Sequence, residues 1–108
     1  MLTTIYHTLG APLVSLVVVT YNSAALIGPC LDALAAGCAV PHELLVIDNA
    51  SVDGTPALVA ARYPQARLFA NRANVGFGRA CNQGAGAARG ELLVFANPDL
   101  IATPGWLD

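Results

Sequence analysis

The chain contains no lysine. Its five basic residues are Arg62, Arg67, Arg72, Arg79 and Arg89, and no two are adjacent, so the clustered charge of a nucleic-acid footprint is absent. The missing lysine also excludes a phosphate loop of the form GxxxxGK[ST]. Cysteine is scarce and odd in number. Cys30, Cys38 and Cys81 show no CxxC spacing, which argues against a zinc site or a disulfide framework and predicts reduced, buried thiols in a cytoplasmic protein. His7 and His42 are isolated and read as surface or loop residues. The longest apolar run, around Leu16–Val19, falls far short of the ~20 residues that cross a bilayer. The opening "MLTTIYHTLG" lacks the charged start and long apolar stretch of a signal peptide.

Charge of either sign is low. Charged residues make up 11% of 108 residues and hydrophobic residues 56%, with net charge −2. Much of the apolar content is alanine. One small, finely packed domain that buries a large share of its surface is expected.

The remaining pattern alternates strand and helix. "LVSLVVVT" (13–20) is a β-branched run without alternation, as expected for a strand covered on both faces. Asn22 or Ser23 can cap a following helix, on which Leu26, Ile27, Cys30, Leu31 and Leu34 recur at helical spacing. Pro29 predicts that this helix starts or kinks there, and Gly37 is a plausible stop. "HELLVIDNA" (42–50) reads as a second buried strand ending at Asp48. Asp53-Gly54 then makes a turn, Thr55 a cap and Pro56 a first helical residue, with Pro64 ending the helix. "ARLFAN" (66–71) is a short third strand. "RANVGFG" is a glycine-bearing loop, "RACNQGAGAARG" a helix closed by Gly90, and "ELLVFA" (91–96) a fourth strand. Thr103-Pro104 opens a further helix, with Trp106 in its first turn. This order predicts an α/β fold: a Rossmann-like, mostly parallel sheet with flanking helices and right-handed crossovers.

Ligands of such sheets bind outside the carboxyl ends of strands, where strand order reverses. The predicted strands end in polar clusters there: Thr20-Tyr21-Asn22, Asp48-Asn49-Ala50-Ser51, a loop with Asn74 and Gly76-Phe77, and Asn97-Pro98-Asp99. Tyr21, Asp48 and Asp99 are expected to converge on a single crevice at one rim. The dinucleotide fingerprint GxGxxG is missing from the first strand-to-helix turn, "TYNSAALIG". "GFGRAC" and "GAGAARG" are weak matches in the wrong places, so a nicotinamide enzyme is not indicated. The same turn is neither glycine-rich nor basic, as a nucleotidyltransferase would need.

Four ordered segments, "VSLVVVTYNSAALIGPCLDAL", "ELLVIDNASVDGT", "NRANVGFGRACNQG" and "ELLVFANPDLIATPGW", resemble the successive motifs of family 2 glycosyltransferases with the A-type fold. The likeness is nearest to the rhamnosyltransferase-like branch, whose fourth-strand motif reads Asn-Pro-Asp. It spans about residues 13 to 107 and is specific because four motifs fall in order at the right spacing. It implies the N-terminal, donor-binding half of such a fold over 13–108, after an extension at 1–12. Thr20, Tyr21 and Asn22 match the first-strand nucleotide motif. Asp48 matches the acidic residue on the base or ribose edge, with Asn49, Ser51 and Asp53 in the loop beside it. Asn74, Gly76, Phe77 and Asn82 match the segment flanking the nucleotide and its phosphates. Asn97 and Asp99 match the motif that holds a divalent cation, Mg or Mn, on the sugar-nucleotide diphosphate.

The implied activity is inverting transfer of a sugar from a dTDP-, UDP- or GDP-linked donor to an acceptor hydroxyl on a glycan or a lipid-linked acceptor, with rhamnosyl transfer in cell-surface polysaccharide synthesis as the finer expectation. The implied location is cytoplasmic, at or away from the inner face of the cell membrane through peripheral association. The catalytic base and acceptor site are expected beyond residue 108, so the 108 residues alone should be inactive. Two positions depart from the pattern: one carboxylate stands where two are usual, and Cys81 occupies a place often held by arginine. These departures leave a non-catalytic nucleotide-binding or assembly module of the same fold as the alternative.

Overall fold

The computed structural model describes residues 13–99. The expected extension at 1–12, with His7, and the helix from Thr103-Pro104 with Trp106 lie outside the described residues. Seven elements alternate: β1 (Val14–Thr20), α1 (Ala24–Gly37), β2 (His42–Asp48), α2 (Thr55–Arg62), β3 (Arg67–Ala70), α3 (Phe77–Ala87) and β4 (Leu92–Ala96). The strands form one sheet in the order β3-β2-β1-β4. Every pairing is parallel.

Crossover handedness, given this order, fixes where the helices lie. The chain steps outward from β1 to β2 to β3, then returns through α3 to place β4 on the other side of β1. Right-handed crossovers in opposite directions put their helices on opposite faces. Ile27, Leu31 and Leu34 of α1 and Val59 of α2 accordingly share one core cluster with Leu16, Val18 and Val46. Ala80 of α3 packs on the other face with Val17, Val19, Leu45 and Ile47. Covered on both sides, β1 buries all seven residues. The strand reversal between β1 and β4 is the switch point of the sheet.

Local boundaries differ in a few places. Helix α1 starts at Ala24, a full turn before Pro29, and runs through it. The proline removes only the bond to the carbonyl of Ala25, an exposed position. Leu26 was expected on the apolar face but is 49% exposed, while Ile27, Cys30, Leu31 and Leu34 are buried. In α2 the cap shifts by one: Gly54, at φ 88°, precedes the helix and Thr55 is its first residue. Helix α3 starts at Phe77 and ends at Ala87, earlier at both ends than its composition suggested.

Two close fits hold the layers. The Tyr63 hydroxyl, with one proton to share, lies within hydrogen-bond reach of the Gly28 carbonyl (2.9 Å) and Asp32 Oδ1 (2.7 Å), tying the end of α2 to α1. Gly84 lets α3 lie directly on β1, because a Cβ there would sit 2.5 Å from Val17 Cγ1. Cys30 and Cys38 are buried and Cys81 is half-buried, all three as free thiols. Among the described residues no helix is long and apolar enough to cross a membrane.

Candidate functional site at the carboxyl rim

Parallel pairing brings the strand ends together. Thr20 lies opposite Asp48, and Ala96 opposite Val18 two residues short of that end. Tyr21, Asp48 and Asp99 therefore lie at one rim of the sheet, but the expected convergence on one crevice is not complete: of the three, only Tyr21 lines it. Their exposures differ: Tyr21 is 54% exposed, whereas Asp48 is 1% exposed. Both oxygens of Asp48 are engaged. Oδ1 accepts from Thr20 Oγ1 (2.7 Å) and Ser51 Oγ (2.6 Å), and Oδ2 accepts the Ser51 N–H (2.9 Å). A carboxylate can be buried only when so satisfied. Asp48 thus joins the ends of β1 and β2 to the β2–α2 loop.

That loop is zipped to the β1–α1 loop residue by residue. The Asn22 N–H donates to Ser51 Oγ (2.7 Å), and Asn22 Oδ1 accepts the Val52 N–H (2.8 Å). The Ser23 N–H donates to Thr55 Oγ1 (3.0 Å), and the Ala24 N–H to Asp53 Oδ2 (3.0 Å). Asp53 Oδ1 also accepts from the N–H and hydroxyl of Thr55. One carboxylate so serves the first turns of both α1 and α2, where negative charge complements the helix dipoles. The Thr55 hydroxyl first, then the Ala24 N–H, hold Asp53 below the ordinary aspartate pKa. The zipper sets two non-glycine residues in left-handed backbone, Asn22 (φ 48°) and Ala50 (φ 63°).

A third segment, Asn71–Gly76, closes the far side. Asn49 Nδ2 donates to the Gly76 carbonyl (3.2 Å), and Asn49 Oδ1 accepts from Asn71 Nδ2 (3.2 Å) and the Val75 N–H (3.4 Å). Asn71 and Gln83 exchange two amide bonds, of 3.0 and 2.9 Å. Asn74 Oδ1 accepts the Gly76 N–H (2.9 Å). Gly76, at φ 87°, then turns the chain into α3.

Between these segments lies an open crevice of about 360 Å³, lined by Val19, Tyr21, Ser23, Asn49, Asn74, Gly76, Phe77 and Pro98. Of the residues singled out from sequence, Tyr21, Asn49, Asn74, Gly76 and Phe77 line it. Thr20, Asn22, Asp48, Ser51 and Asp53 form the bonded wall behind it. Asn82 is exposed farther along α3. Cys81 packs against the α3-side core. Sequence reasoning missed Ser23, Thr55, Asn71 and Gln83 as builders of the wall. One signal pointed to Asn71: every strand is followed within two residues by asparagine, at Asn22, Asn49, Asn71 and Asn97.

Asn97 and Asp99 are exposed on either side of Pro98, which reaches the crevice. The Cys30 thiol lies behind them, donating to the Asn97 carbonyl at 3.5 Å. Burial, then the charge of Asp99, push its pKa up to about 11, so it stays protonated. Among the described residues no group of three or more His, Cys, Asp or Glu side chains could enclose a metal. One exposed carboxylate beside one amide does fit a hard cation that keeps its waters and brings phosphate oxygens of its own, the usual way Mg²⁺ binds.

A parallel four-stranded sheet with flanking helices and a crevice at the strand reversal is the architecture of an A-type glycosyltransferase fold. The sequence matches the family model described as glycosyl transferase family 2 over residues 15–108, and the chain belongs to that family. It is 43% identical over 94 residues to the succinoglycan biosynthesis protein ExoO of Rhizobium meliloti, covering 86% of this chain and 27% of that protein. It is 35% identical over 104 residues to the N-acetylglucosaminyl-diphospho-decaprenol L-rhamnosyltransferase of Mycobacterium tuberculosis, covering 85% and 34%. Among solved structures, the mannosyltransferase PcManGT of Pyrobaculum calidifontis, in complex with GDP-Man and Mn²⁺, superposes with a TM-score of 0.69 at 34% identity, covering 82% of this chain and 28% of that one. The chain thus spans about a third or less of the length of these relatives.

Proposed function

We propose that this chain supplies the donor site of an inverting glycosyltransferase that moves a sugar from a nucleoside-diphosphate sugar to an acceptor hydroxyl. The observation that carries the reading is the crevice at the β1/β4 reversal, with aromatic Tyr21 and Phe77, amides Asn49 and Asn74, and the Asn97-Pro98-Asp99 tip at its edge. Two half-exposed aromatics offer apolar faces to a base and ribose, and the amides offer donors and acceptors to their edges. The wall of Thr20, Asn22, Asp48, Ser51 and Asp53 keeps that surface in place.

The transfer is a single displacement. The acceptor oxygen bonds to the anomeric carbon, the bond from that carbon to the diphosphate oxygen breaks, and the hydroxyl proton passes to a base. Negative charge grows on the departing diphosphate. The N-terminus of α3 opens on the crevice at Gly76-Phe77, with Arg79 in its first turn, and its unpaired N–H groups favour phosphate oxygens. Asp99 and Asn97 would hold a divalent cation, which neutralises diphosphate charge when bound. Proline between them fixes φ at its own position and keeps Asn97 extended, which restricts the backbone that carries the two side chains.

The finer reading is rhamnosyl transfer in cell-surface polysaccharide synthesis. Likeness to the mycobacterial rhamnosyltransferase and to the succinoglycan protein supports it. A thermal-shift series on the full-length protein with dTDP, UDP and GDP, each with and without Mn²⁺, tests the donor site. At least one nucleotide should raise the melting temperature, more so with Mn²⁺, and Asp99→Ala should remove the metal-dependent part. No shift with any nucleotide would overturn the donor site, and an undiminished metal effect in the variant would overturn the bracket.

A further inference from the structure

Every residue from Arg72 to Arg79 is exposed. This stretch contains Asn74, Gly76 and Phe77, three of the residues that line the crevice, yet it sends no side chain into either core. The loop part, up to Gly76, must be placed by polar ties, since apolar burial holds nothing there. Those ties start from a chain of three neutral amides. Gln83, on the second turn of α3, trades two bonds with Asn71. Asn71 Nδ2 passes on to Asn49 Oδ1. Asn49 grips the loop at the Val75 N–H and the Gly76 carbonyl. The Asn71 N–H is itself fixed on the Asp48 carbonyl at 2.8 Å.

We infer that Asn71 and Gln83 are positioning residues of the donor site: through Asn49 they set where Asn74 and Phe77 stand over the crevice, without touching the nucleotide themselves. The inference rests on the donor-site reading above. The relay has a chemical logic. Each amide donates and accepts at once, so one side chain can be bonded from both sides. None of the three titrates, so the placement is independent of pH across the range in which the protein is folded. A reciprocal amide pair also fixes both members in one geometry, which a lone hydroxyl would not.

Two variants test it. Gln83→Leu removes the pair. Asn71→Asp keeps its shape and its acceptor for Gln83 but removes the donor shared between Gln83 and Asn49. Amide hydrogen exchange of Val75 and Gly76 should accelerate about tenfold or more in both, with exchange in β1 and β2 unchanged. Affinity for the nucleoside diphosphate that the unsubstituted protein binds should fall about tenfold, measured well below the melting temperature. Unchanged exchange at Val75 and Gly76, acceleration spread evenly over the sheet, or a loosened loop with undiminished affinity would each overturn the inference. If the unsubstituted protein binds no nucleoside diphosphate, the donor-site reading fails, and the placement of the loop by Asn71 and Gln83 is then judged by exchange alone.

Discussion

The two ends of the β1–β2 pair use one device for different ends. At the amino end Ser15 faces Glu43, and its hydroxyl donates to Oε2 at 2.6 Å. At the carboxyl end Thr20 faces Asp48, and its hydroxyl donates to Oδ1 at 2.7 Å. Each carboxylate then gathers further donors, but their chemistry differs. Glu43 takes a cation, Arg67, at 3.1 Å, together with the Arg89 N–H at 2.6 Å, while Gly90 caps Ser15 at 2.9 Å. Asp48 takes only neutral donors, from Thr20 and Ser51. The amino end is closed and charge-balanced. The carboxyl end keeps its negative charge unpaired by any arginine and spends its bonds on shaping two loops beside an open crevice. The same hydroxyl–carboxylate pair thus locks the sheet at one end and shapes the loops beside the crevice at the other.

The largest effect should come from breaking the closed end. Glu43→Ala leaves a half-buried guanidinium, an N–H and a hydroxyl without their shared acceptor. A loss of about 2–4 kcal/mol is expected, near that of breaking a buried ion pair, read as a lower denaturation midpoint. Nucleotide affinity of the folded protein should not change. Asp48→Ala should cost less stability, about 1–3 kcal/mol for the stranded Thr20 and Ser51 donors, yet weaken nucleotide binding strongly. If both variants lose stability and affinity in the same proportion, the division between the two ends is wrong.

Acid should distinguish them next. Burial raises the pKa of Glu43, but the Ser15 hydroxyl, the Arg89 N–H and Arg67 outweigh it and leave it below the ordinary glutamate value. A depressed folded pKa contributes stability that is present above the unfolded value, about 4.3, and is lost as pH falls through the folded one. Stability should therefore drop as pH falls below about 4.3. Glu43→Gln should flatten that part of the curve, as measured by denaturant unfolding at stepped pH. A variant curve parallel to that of the unsubstituted protein would show that Glu43 does not govern the acid limb.

What could be read from sequence follows the same line. β1 and β2 were legible because they are covered on both faces and read as continuous apolar runs. The rim at the carboxyl ends of the strands, where Tyr21, Asn49, Asn74 and Phe77 meet, was legible from the alternation of strand and helix; the strand order, with its reversal between β1 and β4, was not. The direction in which a polar side chain turns was not legible. Asp48 and Asp53 look alike in sequence to ligand-facing acids, and only the distances show that they are occupied by Thr20, Ser51, Thr55 and the Ala24 N–H. Asn71 and Gln83 were hidden because their pairing spans a loop whose path is set by that very pair. The Asn22/Ser23 cap anticipated the start of α1, but Leu26 was misjudged because it lies at the edge of the helical stripe of Ile27, Cys30, Leu31 and Leu34 that packs on the sheet.

The smallest expected effect lies within the loop zipper, at Ala50. Its φ of 63° is left-handed backbone in a residue with a Cβ, at a cost of about 1–2 kcal/mol relative to right-handed geometry. Glycine would remove that cost but loses about 0.5–1 kcal/mol more backbone freedom on folding than alanine. The two terms leave a net gain of roughly 0.5 kcal/mol for Ala50→Gly. The sign carries the information. A gain shows that the Asp48–Ser51 and Asn22–Val52 bonds force the loop into its bend against the preference of its own residue, so that the rim is held by its bonds. A loss of stability, measured by the same denaturant titration, would mean that the Ala50 methyl contributes to holding the loop, and that the open end is packed as well as bonded.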